Sequence, residues 1–132
     1  MKPFTILGIL LWGNLFIAVS RRIGITATIR FICRIGESLP LTKGDLGAYS
    51  NSIDILLDRF PFLFLARKQR CLVRGLLLYF FGKRRRIDIR LQFGSKKTDT
   101  GLDTHCWISH GRKIQFEVEA VIKQYTLLVE YR

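Results

Sequence analysis

Cys71, His105 and Glu117 are the residue types from which a working thiol nucleophile is assembled. A cysteine attacks as its thiolate, so it needs a base to take and return the proton, and the base needs a third group to hold its orientation. Cys71 opens the apolar run "RCLVRGLLLYFFGKRRR", residues 70 to 86. In the first turn of a helix the unpaired backbone amides and the aligned peptide dipoles favour an anion. His105 and Glu117 stand on two later runs that read as the strands of a hairpin.

The elements needed to position these groups follow from the same patterns. Residues 4 to 19 and about 24 to 35 read as two apolar helices, the second amphipathic. A third helix runs through "SIDILLDRF", with Asp45 and Ser50 as candidate caps and Pro61 as its stop. In the run that begins at Cys71, Leu72, Leu76 and Phe80 recur every four residues with Leu77 and Phe81 beside them, and Gly82 followed by basic residues supplies a helix end.

After Arg86 the period changes to two. "IDIRLQF" reads as a strand with one wet face, "GSKKTDTGLDT" as a loop, and "HCWISHGRKIQFEVE" as a hairpin turning at Gly111. The final "IKQYTLLVEY" fits a strand or a short helix. Helices first and an antiparallel sheet second make an α+β fold. It is one compact domain overall, with a helical region over 1–60 and a core over 61–132.

The order helix, strand, strand carrying Cys, His, acid is that of papain-like and transglutaminase-like folds. Strand geometry tests whether Glu117 can reach His105. A two-residue turn at His110-Gly111 would set Phe116 opposite His105, whereas a three-residue turn or a bulge would set Glu117 there, and the latter is expected. Asp103, two residues before His105, and Glu119 are the alternative acids.

"CLVRGLLLYFFGKRRRIDIRLQFG" followed by "HCWISHGRKIQFE" resembles the lasso peptide biosynthesis B2 proteins, the transglutaminase-like leader peptidases of the microcin J25-processing McjB C-terminal family. The shared elements are a Cys-Leu-x-Arg opening an apolar helix, a strand ending in Gly, a His-x-Trp strand and an acid about a dozen residues past the histidine. They cover roughly residues 66 to 120. This chain departs from the family at two positions, with Glu117 where aspartate is usual and Cys106 where alanine is usual.

The resemblance implies that Cys71 is the nucleophile, His105 the general base and acid, and Glu117 the orienting acid. The reaction it implies is proteolysis through an acyl-enzyme that frees a core peptide from its leader, with the Cys71 amide as an oxyanion donor. Neither a metal nor a cofactor is implied. The partners implied are the precursor peptide, a B1 leader-binding (RRE) protein and an ATP-dependent lasso cyclase. Trp107 and Arg74 are candidate substrate contacts, Trp107 as a wall of the site and Arg74 as either a contact or a brace.

Composition bounds the alternatives. The 132 residues carry 22 Lys and Arg against 10 Asp and Glu, net +12, so the chain is attracted to acidic partners. A basic binding protein without catalysis is the rival reading, but no helix-turn-helix, zinc pattern or interleaved aromatic and basic strand surface supports nucleic acid as its partner. The run "GKRRR" is a dipole-compensating helix end, or a landing surface for an acidic leader or for B1. His110 reads as a solvated turn residue.

Three widely spaced cysteines, Cys33, Cys71 and Cys106, form no CxxC pair, which fits a reduced, cytoplasmic setting, and Cys33 and Cys106 read as packing residues. The stretch from Pro3 to Val19 is almost free of charge. It is expected to be a packed or interfacial helix, which leaves room for peripheral membrane contact.

Overall fold

A computed structural model describes residues 2–64 and 69–132. The chain forms α1 (Pro3–Ile23), α2 (Ile25–Ser38), α3 (Leu46–Arg59), a 3-10 turn (Pro61–Leu63), α4 (Arg70–Arg84), β1 (Ile89–Thr98), β2 (Gly101–His110), β3 (Lys113–Gln115), α5 (Glu119–Ile122) and β4 (Thr126–Tyr131). The fold is a mixed one, with helices before an antiparallel sheet.

Helix α4 is the centre of the molecule, packed against α1, α2 and α3 and against β1 and β2. Its apolar residues run all the way round, as expected of a helix with no wet face. Leu76, Leu77, Tyr79 and Phe80 are fully buried. Trp12 and Phe16 of α1 meet Phe80 with ring centroids 4.6 and 5.2 Å apart, fixing α1 on one side of it. One hydrophobic core therefore runs from Ile9 to Ile108 through both the helical region and the sheet.

The sheet order is β3-β2-β1-β4. β1 and β2 pair from Ile89↔His110 to Thr98↔Gly101, so the expected loop over residues 94 to 104 is instead a long hairpin turning at Asp99 and Thr100. The mostly polar segment 95 to 104 lacks apolar alternation because this ribbon extends past the core, where backbone pairing, the Lys96–Asp103 ion pair and the Tyr125 hydroxyl on Asp103 hold it. Gly82 also departs from expectation. It is a buried helical residue rather than the end of α4, and a side chain there would collide with Ile89. The left-handed residue at this corner is Arg86, with φ 57°.

β4 pairs with β1 on the other side, with Phe93↔Val129 and Gly94↔Leu127. Leu128 is the extra residue between them, a β-bulge that turns its side chain out of the regular alternation.

Candidate active site

Cys71 stands in the first turn of α4, at the end of the helix nearest the strand pair Phe93↔Cys106 and Gly94↔His105. The approach of helix to strand is close. A Cβ on Gly75, one turn past Cys71, would lie 2.8 Å from Cys106 Sγ and 3.1 Å from Leu91 Cδ1. Glycine in a helix interior sacrifices about 1 kcal/mol of helix propensity relative to alanine, and here it makes room for the side chains of Cys106 and Leu91.

Cys71 and His105 shift each other toward the charged forms. Hydrogen bonding from the Cys106 thiol, outweighing burial, together with the bond and charge of His105, holds the Cys71 thiol down at about 4. The bond to Cys71, then the bond to Glu117, pushes His105 up to about 9 against the pull of burial. At neutral pH the pair is thiolate and imidazolium, the poised state of a thiol nucleophile. The helix start is a further favourable feature for the anion.

Glu117 lies beyond the imidazole, its Oε1 at 3.6 Å from His105 Nε2. Burial pushes its carboxyl up, but the His105 bond and the Arg74 charge more than offset this and hold it below the usual range. The route by which it arrives is not the expected one. The β2–β3 turn consists of Gly111 and Arg112, with His110↔Lys113 closing it, so it is neither a His110-Gly111 turn nor a three-residue turn. Pairing ends at Ile108↔Gln115, and Phe116 takes the left-handed conformation with φ 58°. The chain leaves the sheet there and swings Glu117 toward His105.

Arg74 braces this corner. Its Nε donates to Asp54 Oδ1 at 2.6 Å and its Nη1 to Glu117 Oε1 at 2.9 Å. Its Nη2 donates to Ser50 Oγ at 3.1 Å and to the Phe116 carbonyl at 3.1 Å. The guanidinium is thus spent inside the protein, tying α3, α4 and the Phe116–Glu117 segment together, rather than facing a substrate.

Trp107 shares a face with His105, with ring centroids 6.2 Å apart, and donates its indole N–H to Gln92 Oε1 at 2.8 Å. At 4% exposed it backs the histidine and does not line the cleft over Cys71. The alternative acids are engaged elsewhere: Asp103 accepts from the Tyr125 hydroxyl at 2.6 Å, and Glu119 pairs with Lys123 at 3.0 Å. Among the described residues no group of three His, Cys, Asp or Glu side chains is placed to hold a metal.

Two residues of the site escaped sequence reasoning. Cys106 follows strand alternation into the interior, yet its Sγ lies 2.8 Å from the Cys71 carbonyl oxygen and beside the Cys71 thiol. The nearest signal was Gly75, a glycine in an otherwise strong helix. Leu128 lines the cleft of about 310 Å³ beside Cys71, His105, Leu72 and Phe93, and reaches it because of its bulge. Nothing in the local pattern marks that bulge.

A family model described as the Transglutaminase-like superfamily matches residues 48–130. No curated protein and no solved structure matches the chain. The match spans more than half of the sequence, and the chain belongs to that superfamily.

Proposed function

We propose that this transglutaminase-like chain is a cysteine peptidase that removes the leader from a ribosomally made lasso-peptide precursor. The observation that carries the reading is that His105 shares a cleft with Cys71, lies 3.6 Å from the Glu117 carboxylate and is raised by both, while the Cys71 thiol is lowered. The superfamily is consistent with thiol peptidase or transferase chemistry, and the likeness to B2 proteins supplies the substrate.

In this mechanism the Cys71 thiolate attacks the carbonyl carbon joining leader to core, and the first-turn amides of α4 face the developing oxyanion. The His105 imidazolium gives its proton to the amine of the departing core peptide. Neutral His105 then takes a proton from water, which attacks the thioester and releases the leader. Glu117 keeps the imidazole aligned and stabilises its charged form, as the third member of such triads does. Arg74 keeps Glu117 in place. A B1-type protein presents the leader in the cytoplasm, the basic end of α4 offers it a landing surface, and an ATP-dependent cyclase closes the ring on the freed core.

The test is incubation of the protein with a lasso-peptide precursor, with and without a B1-type protein, followed by mass spectrometry. Wild type releases the intact leader and Cys71→Ala does not. Equal cleavage by Cys71→Ala, or salt-sensitive DNA binding without any reactive thiol, would overturn the reading.

A further inference from the structure

Helix α1 is apolar on the face it does not need. Its inward face is the one carrying Ile9, Gly13, Phe16 and Ile17, all buried. Its outward face carries Leu7, Leu11, Leu15 and Ala18, at spacings of four, four and three residues, which is one continuous helical stripe. Leu7 is 65% exposed and Leu11 62%. Scattered surface leucines need no explanation, but a stripe three turns long does.

The stripe continues onto a second element. Asn14, on the edge of the same stripe, donates its amide to the Leu63 carbonyl at 2.9 Å. That bond holds the 3-10 turn against α1, with Phe64 packed on Gly13 beneath it. The turn leaves Phe60, Phe62 and Leu63 exposed, the two rings in edge contact at 6.1 Å. Aromatic rings on a turn beside an apolar helix face form a wedge suited to the boundary between headgroups and acyl chains.

Charge decides among the possible occupants. Lys2 precedes the helix and Arg21 and Arg22 close it, all exposed. Where the first turn of α1 meets the segment before α3, a cleft is lined by Lys2, Lys43, Thr5, Tyr49 and Ser52, two ammonium groups and three hydroxyls, with Asp45 the one acid among its lining. A second copy of a chain with net charge +12 is repelled from this face. An anionic bilayer matches both the stripe and its basic ends.

We propose that α1 and the Phe60–Leu63 turn form a peripheral docking surface for an anionic lipid bilayer, with α1 lying in the plane of the interface. By length and composition the stretch Thr5–Ile23 could cross a membrane. Its orientation follows from packing instead: Ile9, Phe16 and Ile17 belong to the core that also holds Phe80, so a spanning α1 would have to leave that core. The protein core takes the place of the polar face in an ordinary interfacial helix, and one apolar side remains for the lipid. The headgroup phosphates pair with Lys2, Lys43, Arg21 and Arg22.

The experiment is flotation of the full chain with vesicles of phosphatidylglycerol or of phosphatidylcholine alone. Binding is expected on the anionic vesicles, at least tenfold weaker on the neutral ones, weakened by salt, and reversed by alkaline carbonate. Leu7→Gln and Leu11→Gln are each expected to weaken it about tenfold, the effect of keeping one leucine out of the apolar phase. Both are exposed positions, and an unchanged rate of Cys71 alkylation reports that the variants are folded. Lys2→Gln with Lys43→Gln tests the charge separately. Cys71→Ala is expected to float as wild type does, which keeps this result independent of the peptidase reading. Equal binding to both lipids, no loss in the folded leucine variants, retention through carbonate, or a leucine-dependent dimer with no vesicle binding would each overturn the proposal.

Discussion

Arg74 and His105 meet on a single oxygen: Glu117 Oε1 lies 2.9 Å from the guanidinium Nη1 and 3.6 Å from the imidazole Nε2. The two cations share one carboxylate, so the acid that would orient the histidine is itself held by the helix that carries the cysteine. Arg74→Met should therefore act through Glu117. Removing the guanidinium takes away one of the influences that hold the Glu117 carboxyl down. The acid limb of the pH–rate profile should move to higher pH, and stability should fall by about 1–3 kcal/mol as the partners of a mostly buried charge are stranded. Urea melts and kcat/KM from pH 4 to 8 check both, and an unmoved acid limb would leave Arg74 a purely structural brace.

The ion pair sets a wide pH window. With the Cys71 thiol at about 4 and His105 at about 9, iodoacetamide should react with Cys71 at a nearly constant rate from pH 5 to 8. An ordinary thiol would instead gain about tenfold per unit over that range. Above pH 9 the thiolate persists but the imidazole loses the proton it must give to the leaving amine, so peptide cleavage should decline while alkylation does not. Parallel alkylation and cleavage profiles measure this split.

Glu117→Gln keeps the shape of the side chain and removes the charge that stabilises imidazolium. Cleavage should fall by roughly 10²-fold or more, by analogy with loss of the orienting acid in hydrolytic triads. His105 should also titrate lower, because the neighbouring Glu117 carboxylate is the second of the influences raising it. Glu117→Asp is expected to retain more activity than Glu117→Gln. Single-turnover cleavage together with NMR titration of His105 distinguishes loss of orientation from loss of fold.

Cys106→Ala removes the thiol hydrogen bond that is the largest influence lowering Cys71. The onset of Cys71 alkylation should shift upward in pH. Cleavage should survive the change, because Cys71, His105 and Glu117 all remain. An alkylation onset identical to wild type would assign Cys106 to packing alone.

The helix that carries Cys71 was legible because α4 announces itself through Leu72, Leu76 and Phe80, and the strand of His105 because His105 and Trp107 share one face of it. The sequence did not reveal how Glu117 reaches the site. Turn chemistry at Gly111 is visible, but the left-handed turn at Phe116 falls on a residue type that rarely adopts it, so no local rule marks it. The hairpin over residues 94 to 104 was hidden for the opposite reason, since its polar side chains contribute no periodic signal. Arg74 was visible as a residue one turn from Cys71, yet its partners Ser50 and Asp54 lie on α3, a relationship only the tertiary packing creates.

Gly75→Ala poses two opposing effects. The helix gains about 1 kcal/mol of propensity, and the new methyl meets Cys106 Sγ and Leu91 in a packed interior, an overpacking worth about 1–3 kcal/mol. The net result should be a less stable protein whose Cys71 alkylates more slowly at neutral pH, measured by thermal melting and by the same alkylation assay.

That missing methyl acts as the ruler of the Cys71–His105 site. The span between sulfur and imidazole is set by how far a helix can sink onto a strand, and a hydrogen atom in place of a side chain at Gly75 defines the bottom of that descent. Tuning the thiol in this scaffold is therefore a matter of spacing as much as of charge, and a redesign that leaves Cys71, His105 and Glu117 untouched can still detune them from one turn away.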